Sequence, residues 1–219
     1  MNEVVQFTLV ALSAVFFVVD PFAIVPIFIT MTAGDSQAKR ESMARRACLI
    51  TAGVLTFFAL GGGLVFKLFG VTLAAFKIAG GVLLMLTALD MLRAHHAATK
   101  TSDAEIAEGA AKADIAIVPL AMPLLAGPGA IATVMVLTAQ SKRLWEIGPI
   151  LFAIFVTSAL SYVVLRAANV VNRMLGSNGQ AILSRVMGLM LAALSVQFML
   201  NGVSEALPEV LAKIGKVTL

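Results

Sequence analysis

"LLAGPGAIAT", residues 124–133, sets Gly127-Pro128-Gly129 in the middle of a 25-residue apolar run from Ile115 to Ala139. A run of that length can cross a hydrocarbon core, which takes about 20 apolar residues in a helix. Yet glycine costs a helix interior about 1 kcal/mol and proline about 3. No water is at hand inside a bilayer to satisfy the backbone groups that a break releases. The stretch therefore reads as a membrane segment interrupted for a purpose.

The rest of the chain agrees with a membrane setting. Its 219 residues are 60% hydrophobic and only 13% charged, and the mean hydropathy is +0.98. That lies well outside soluble composition. The formal net charge is +4, but the basic residues sit in polar gaps without interleaved aromatics, so nucleic-acid binding is not expected. Their use is as an orientation signal. A single cysteine, Cys48, excludes an internal disulfide and a cysteine-based metal cluster. His95-His96 is adjacent in a polar loop with no third ligand nearby, and reads as a solvated pair rather than a metal site.

Six apolar segments reach or approach spanning length: 4–32, 47–66, 71–92, 115–139, 147–165 and 183–204. The first, third and fifth gaps carry ten basic residues: Lys39, Arg40, Arg45, Arg46, Arg93, Lys100, Lys112, Arg166, Arg173 and Arg185. The opposite side carries five: Lys67, Lys142, Arg143, Lys213 and Lys216. Ten against five places the odd-numbered gaps in the cytoplasm and both termini outside. The first segment lacks the basic flank of a signal peptide, since Glu3 is acidic, and its apolar stretch resumes after Asp20-Pro21. It is expected to be a retained span.

Residues 94–114 read as a cytoplasmic linker between two three-segment halves, 1–93 and 115–219. The halves match. At an offset of 107, Asp20-Pro21-Phe22-Ala23-Ile24 lies over Gly127-Pro128-Gly129-Ala130-Ile131. At an offset of 108, Lys77 meets Arg185, Gly80 meets Gly188, Thr87 meets Ser195 and Met91-Leu92 meets Met199-Leu200. With three spans per half, the second copy must be inverted. Interrupted helices at matched positions of inverted repeats point to a transporter site near the midplane. The expected fold is thus an all-α membrane protein, a 3+3 inverted repeat with broken helices one and four.

Proline suits the first turn of a helix, where its missing N–H would be unpaired anyway. Pro21 and Pro128 can each start a half-helix, capped by Asp20 and Gly127. The first turns then present the amides of Phe22, Ala23 and Ile24, and of Gly129, Ala130 and Ile131, at a partially positive end that attracts anions. Asp20 can cap its own amides with its carboxylate, whereas Gly127 has no side chain and leaves its end open. Gly129 lets a ligand approach the backbone. The expected substrate site is therefore Asp20, Pro21, Ala23, Ile24, Gly127, Pro128, Gly129, Ala130 and Ile131. The amides receive the carboxylate of a small zwitterion, and Asp20 faces its ammonium or carries a coupling proton. The competing structural reading makes Asp20 an N-cap at a kink and the glycines packing contacts.

Lys77 and Arg185 stand near segment starts, where snorkelling or helix-end capping is expected. Asp90 and Arg93 are spaced for an i,i+3 pair. Pro26, Pro119 and Pro123 are expected to shape kinks. Thr30, Thr32, Thr87, Thr133, Thr138 and Ser195 can line a polar path or bond back to their own helices. Gly61-Gly62-Gly63 and Gly80-Gly81 are expected to allow close helix approach. Trp145 beside Lys142-Arg143 fits an interface anchor. No nucleophile elbow, zinc-protease or nucleotide-binding motif is present, so neither enzyme activity nor a cofactor is expected and transport would draw on an ion gradient.

"DPFAIVPIFITMT", "AFKIAGGVLLMLTALDML" and "IAIVPLAMPLLAGPGAIATVMVLTAQ" resemble the signature stretches of the MarC family of bacterial inner-membrane proteins. The resemblance covers nearly the whole chain. Ala23 stands where the family usually has glycine. The resemblance implies six spans, both termini outside in the periplasm, and kinship with transporters of small neutral amino acids such as glycine and alanine. The expectation is a secondary transporter of such amino acids, coupled to protons or another ion. Its alternatives are an exporter of another small metabolite or a non-transporting membrane scaffold.

Overall fold

The computed structural model describes residues 3–93, 114–141 and 143–217. The 94–114 linker, apart from Asp114, lies outside the described residues, and His95-His96 with it. Lys142 is likewise outside them. Among the described residues the chain is helical, without strands.

The first apolar segment forms two helices, α1 (Glu3–Val19) and α2 (Pro21–Met31), separated by Asp20. Ser36 starts α3 (Gln37–Phe69) by accepting from the Lys39 amide at 3.4 Å. Polar residues 37–46 thus extend this helix well ahead of its apolar part. Gly70, at φ 63°, ends it. Thr72 caps α4 (Leu73–Leu92), its hydroxyl accepting from the Ala75 amide at 3.2 Å.

The stretch Ala116–Leu125 departs from a regular helix. Val118 and Met122 are extended, and the Val118–Pro119 and Met122–Pro123 peptides are cis. Its carbonyls accept at five-residue spacing: the Leu120 amide bonds Ile115 O at 3.1 Å and the Ala126 amide bonds Ala121 O at 2.8 Å. The kinks expected at Pro119 and Pro123 are present, at the extended Val118 and Met122 before them; two prolines four residues apart also remove two donors from one short stretch, and the hydrogen bonding widens. Such backbone is tolerated at membrane depth only under protein cover. One side of the stretch has that cover, with Ala116, Pro119, Leu120, Ala121, Leu124 and Leu125 buried, while Ile117, Val118 and Met122 are exposed on the other. At Gly127 the chain turns by 58° into α5 (Pro128–Gln140).

α6 spans Ile147–Arg166, and α7 runs from Ala168 to Val217 with a break at Gly176 (φ 57°). The sixth apolar segment, expected at 183–204, is therefore the centre of a longer helix with a short leading piece, 168–175. Among the described residues, five helical stretches are long and apolar enough to cross a membrane, and the bent pair 116–125 and α5 would make a sixth.

Ion pairs show which gaps share an end. Arg46 pairs with Asp114 at 2.7 Å and Arg166 with Glu41 at 3.4 Å, while Arg40 donates to Asn169 at 3.4 Å. The first, third and fifth gaps therefore meet at one end of the bundle. At the other end Arg143 reaches Glu3 at 3.5 Å, and Trp145 stacks edge-on against Phe7 with ring centroids 6.2 Å apart. Alternation of this kind is what six crossings require.

The widest helix interface joins α4 to α7. It runs antiparallel: Lys77 pairs with Glu205, a Cβ on Gly81 would lie 2.8 Å from Ser195 O, and one on Gly188 would lie 3.1 Å from Ala88 O. Elsewhere α1 and α2 pack on α6, and α3 packs on α5, the 116–125 stretch and α6. α4 also meets α5, and α2 meets α7. Of the Gly61-Gly62-Gly63 run only Gly62 makes the expected close approach, against Met135; Gly61 and Gly63 have nothing within 4 Å of an added Cβ.

Candidate functional site

Two prolines at first-turn positions start two half-helices, as their sequences require, but the two starts are finished differently. Asp20 is buried at 1% exposure and left-handed, with φ 46° and ψ 70°. Aspartate tolerates that conformation better than most residues. Its carboxylate accepts from the Ala23 amide at 3.3 Å. The α2 end is thus capped from within, and Pro21 and Ile24 are buried beside it.

The α5 end has no side-chain cap. Gly127 is extended, at φ −72° and ψ 170°, and contributes only its carbonyl, which accepts from the Ile131 amide at 3.1 Å. That bond removes Ile131 from the set of donors offered to a ligand. Gly129 and Ala130 are the first-turn amides that remain, because Pro128 has no N–H.

These amides border a cavity of about 130 Å³. It lies between α1, α4 and the start of α5, with Val18, Leu83, Leu86 and Thr87 facing Gly127 through Ala130. A Cβ on Gly129 would meet Leu84 Cδ2 at 3.2 Å, Val18 Cγ1 at 3.5 Å and Thr87 Oγ1 at 3.8 Å. The wall is apolar except for the Thr87 hydroxyl, which donates to Leu83 O at 3.1 Å. Its oxygen can still accept from a second donor. The arrangement can hold a small molecule with an anionic head toward the amides and a donor toward Thr87.

Of the residues expected at the site, Gly127, Pro128, Gly129 and Ala130 line this cavity. Asp20, Pro21, Ala23, Ile24 and Ile131 do not, although α1 contributes Val18 only two residues before Asp20. The two breaks therefore lie on helices that pack together, α1 on α5 and α2 on 116–125, though the Asp20 break does not line this cavity. Val18, Leu83 and Leu86 carried no sequence signal beyond being apolar. Thr87 did, as the hydroxyl matched to Ser195.

The other hydroxyls bond back to their own helices. Thr30 donates to Pro26 O at 2.9 Å, Thr32 to Phe28 O at 2.7 Å, Thr133 to Gly129 O at 2.9 Å, Thr138 to Val134 O at 2.9 Å and Ser195 to Ala192 O at 2.7 Å. Lys77 corrects an expectation. Instead of snorkelling it is buried at 1% exposure and paired with Glu205, 128 residues away on α7. Arg185, its match in the second half, is exposed. At the 108-residue offset Glu205 corresponds to Ala97, so the acid that pairs with Lys77 has no counterpart at the matched position. Among the described residues, no three His, Cys, Asp or Glu side chains cluster as a metal site.

Comparison with known proteins places this geometry in a family. Residues 5–207 match the model of the MarC family of integral membrane proteins. The chain belongs to the MarC family. A UPF0056 membrane protein of Methanocaldococcus jannaschii is 39% identical over 92% of this chain and 98% of its own. The MarC relatives YvbG of Bacillus subtilis and YhcE of Escherichia coli, both named UPF0056 membrane proteins, are 34% and 32% identical. The YvbG match covers 89% of this chain and 93% of that one; the YhcE match covers 90% and 91%. No solved structure matches this MarC chain.

Proposed function

We propose that this MarC protein is a secondary transporter of small neutral amino acids such as glycine and alanine, driven by a proton or other ion gradient. The observation that carries the proposal is the uncapped start of α5, whose Gly129 and Ala130 border a cavity of about 130 Å³ between α1, α4 and α5 that opens past the exposed Leu83 and Leu86. A helix end with unpaired amides stabilises a carboxylate. The cavity holds several times the roughly 30 Å³ that one water occupies in the liquid. That is room for an amino acid with a hydrogen or methyl side chain. The Thr87 oxygen is the acceptor available to its ammonium. Asp20, buried at the other break, is the candidate carrier of a coupling proton.

The reading also takes the chain as a 3+3 inverted repeat in the inner membrane of a bacterium, with both termini periplasmic. Exchange of the halves supports this. It would turn the α1–α6 contact into the contact of α3 with 116–125 and α5, and the α4–α5 contact into that of α7 with α1 and α2; each pair is present. The matched methionines each lie against a glycine of the facing helix, Met91 on Gly188 and Met199 on Gly81, while Gly80, the match of Gly188, packs on Ala132.

The deciding experiment is uptake of labelled glycine and alanine into proteoliposomes, with and without an imposed pH gradient. Saturable flux that grows with the gradient and falls off for leucine and phenylalanine is expected. Absence of flux across a panel of small amino acids would overturn the substrate assignment.

A further inference from the structure

At the end of the bundle where the first, third and fifth gaps meet, a second cavity of about 180 Å³ lies between the start of α3 and the α6–α7 junction. Two guanidinium groups, Arg40 and Arg166, reach it from different helices, beside Gln37, Glu41, Asn169 and Val170. Glu41 is held by Arg166 at 3.4 Å and by the Gln37 amide at 3.1 Å. Arg40 donates to Asn169 at 3.4 Å and lies over the Phe28 ring, 5.6 Å from its centroid. The lining charges therefore sum to one positive charge, with guanidinium N–H groups left over on both arginines: each carries five. Planar guanidinium forks match phosphate oxygens.

The neighbourhood identifies the kind of phosphate. The cavity sits where the apolar part of α3 has not yet begun and α6 has just ended, so it lies level with membrane headgroups. Beside it the short leading piece of α7 raises two apolar side chains one turn apart, Val170 at 58% exposure and Met174 at 81%. On the same piece Arg173 is exposed. An exposed apolar ridge flanked by arginine is the pattern of a helix lying in the membrane interface. A soluble anion would have no use for the ridge, whereas a lipid presents a headgroup to the cavity and acyl chains to Val170 and Met174. We propose that the cavity between α3 and the α6–α7 junction is a binding site for the phosphate headgroup of an anionic phospholipid, which clamps α3 to α6 and α7.

Native mass spectrometry of the full chain in detergent tests this, with equal amounts of phosphatidylglycerol and phosphatidylcholine supplied. Basic side chains near a membrane surface contribute about 1 kcal/mol each toward anionic lipid. A preference for phosphatidylglycerol on the order of tenfold is expected. It should vanish in the Arg40→Gln/Arg166→Gln variant and in Asn169→Asp, which adds a carboxylate to the cavity without removing an arginine. Arg143→Gln, at the opposite end, should retain it. Equal retention of the two lipids by the unaltered protein would overturn the proposal, as would an equal loss of preference in Arg143→Gln. Displacement of the retained lipid by inorganic phosphate alone would assign the cavity to a soluble anion and overturn the lipid assignment.

Discussion

Asp20 and Gly127 occupy matched positions in the two halves, and replacing either one separates roles that coincide in the native residue. Asp20 is both a cap for the Ala23 amide and a left-handed residue. Asparagine can do both, so Asp20→Asn should leave thermal stability in detergent nearly unchanged. Asp20→Ala loses the cap, about 1 kcal/mol, and adds left-handed strain of about 1–2 kcal/mol. A total near 2 kcal/mol should appear as a clear drop in melting temperature. If Asp20 carries the coupling proton, Asp20→Asn should keep exchange of substrate between the two sides while losing the response to a pH gradient. A gradient response equal to that of the unaltered protein would reduce Asp20 to its capping role. Gly129→Ala makes the complementary test. The added methyl meets the flexible end of Leu84 at 3.2 Å, so the helix accommodates it, and alanine favours a helix by up to about 1 kcal/mol over glycine. Stability should hold or rise while glycine uptake falls several-fold, because the methyl narrows the cavity at the exposed amides. The Gly-Pro-Gly break and the Asp-Pro break were legible in the sequence because proline and glycine act on the backbone locally. The cavity wall was not, since nothing in the spacing of Val18, Leu83 and Leu86 says which helix faces which.

At the level of elements, α4 and α7 behave as one unit held at backbone distance. A Cβ on Gly202 would lie 2.7 Å from Ala74 O, and one on Gly81 2.8 Å from Ser195 O. Neither neighbour is a movable side-chain end. Gly81→Ala and Gly202→Ala should each lower stability by about 1–3 kcal/mol, the usual cost of overpacking. Gly53→Ala, with nothing within 4 Å of the new methyl, should be neutral or stabilising. Thermal unfolding of the three variants side by side checks the contrast; equal effects would mean that the helices do not touch where the glycines lie. The Lys77–Glu205 pair adds a polar tie to the same interface. Its two ends are unequal, since the Lys77 side chain is 2% exposed and that of Glu205 46%. Glu205→Gln strands a buried ammonium and should cost about 2 kcal/mol, less than for a pair buried on both sides. Lys77→Met leaves a carboxylate that can turn to water or headgroups, and should cost less. A double-mutant cycle measures the coupling. This tie was hidden from sequence reading because its partners are 128 residues apart and its acid has no equivalent in the first half. The regular parts of α4 and α7 were visible as apolar runs. The wide-turn stretch 116–125 was masked by the same apolar composition, which marks membrane depth without specifying backbone geometry, while the helix on either side of Gly176 lies in a polar gap that carries no spanning signal.

For the whole molecule, charge pairing and charge asymmetry make separate claims. The Arg46–Asp114, Arg166–Glu41 and Arg40–Asn169 contacts hold the first, third and fifth gaps at one end whichever way the protein is inserted. The proposed orientation adds that the excess of lysine and arginine in those gaps faces the cytoplasm. Single cysteines report on both claims, and the native Cys48 is buried, so a Cys48→Ala background is suitable. Ser36→Cys and Asn172→Cys should react with a membrane-impermeant maleimide together, and Ser141→Cys separately from them. In intact cells only Ser141→Cys should label; the other two should label after lysis. Labelling of Ser36→Cys and Asn172→Cys on opposite sides would break the six-crossing topology itself. A reversed but consistent pattern would keep the topology and invert the orientation. It would also move the Arg40–Arg166 cavity to the outer leaflet, leaving its chemistry intact. The two results bear differently on transport. A transporter built as the proposed inverted repeat needs its crossings to alternate, because an exchange of α1–α6 with α3–α5 packing is what would let one bundle open toward either side. Its orientation only sets which side the open amides of α5 serve first.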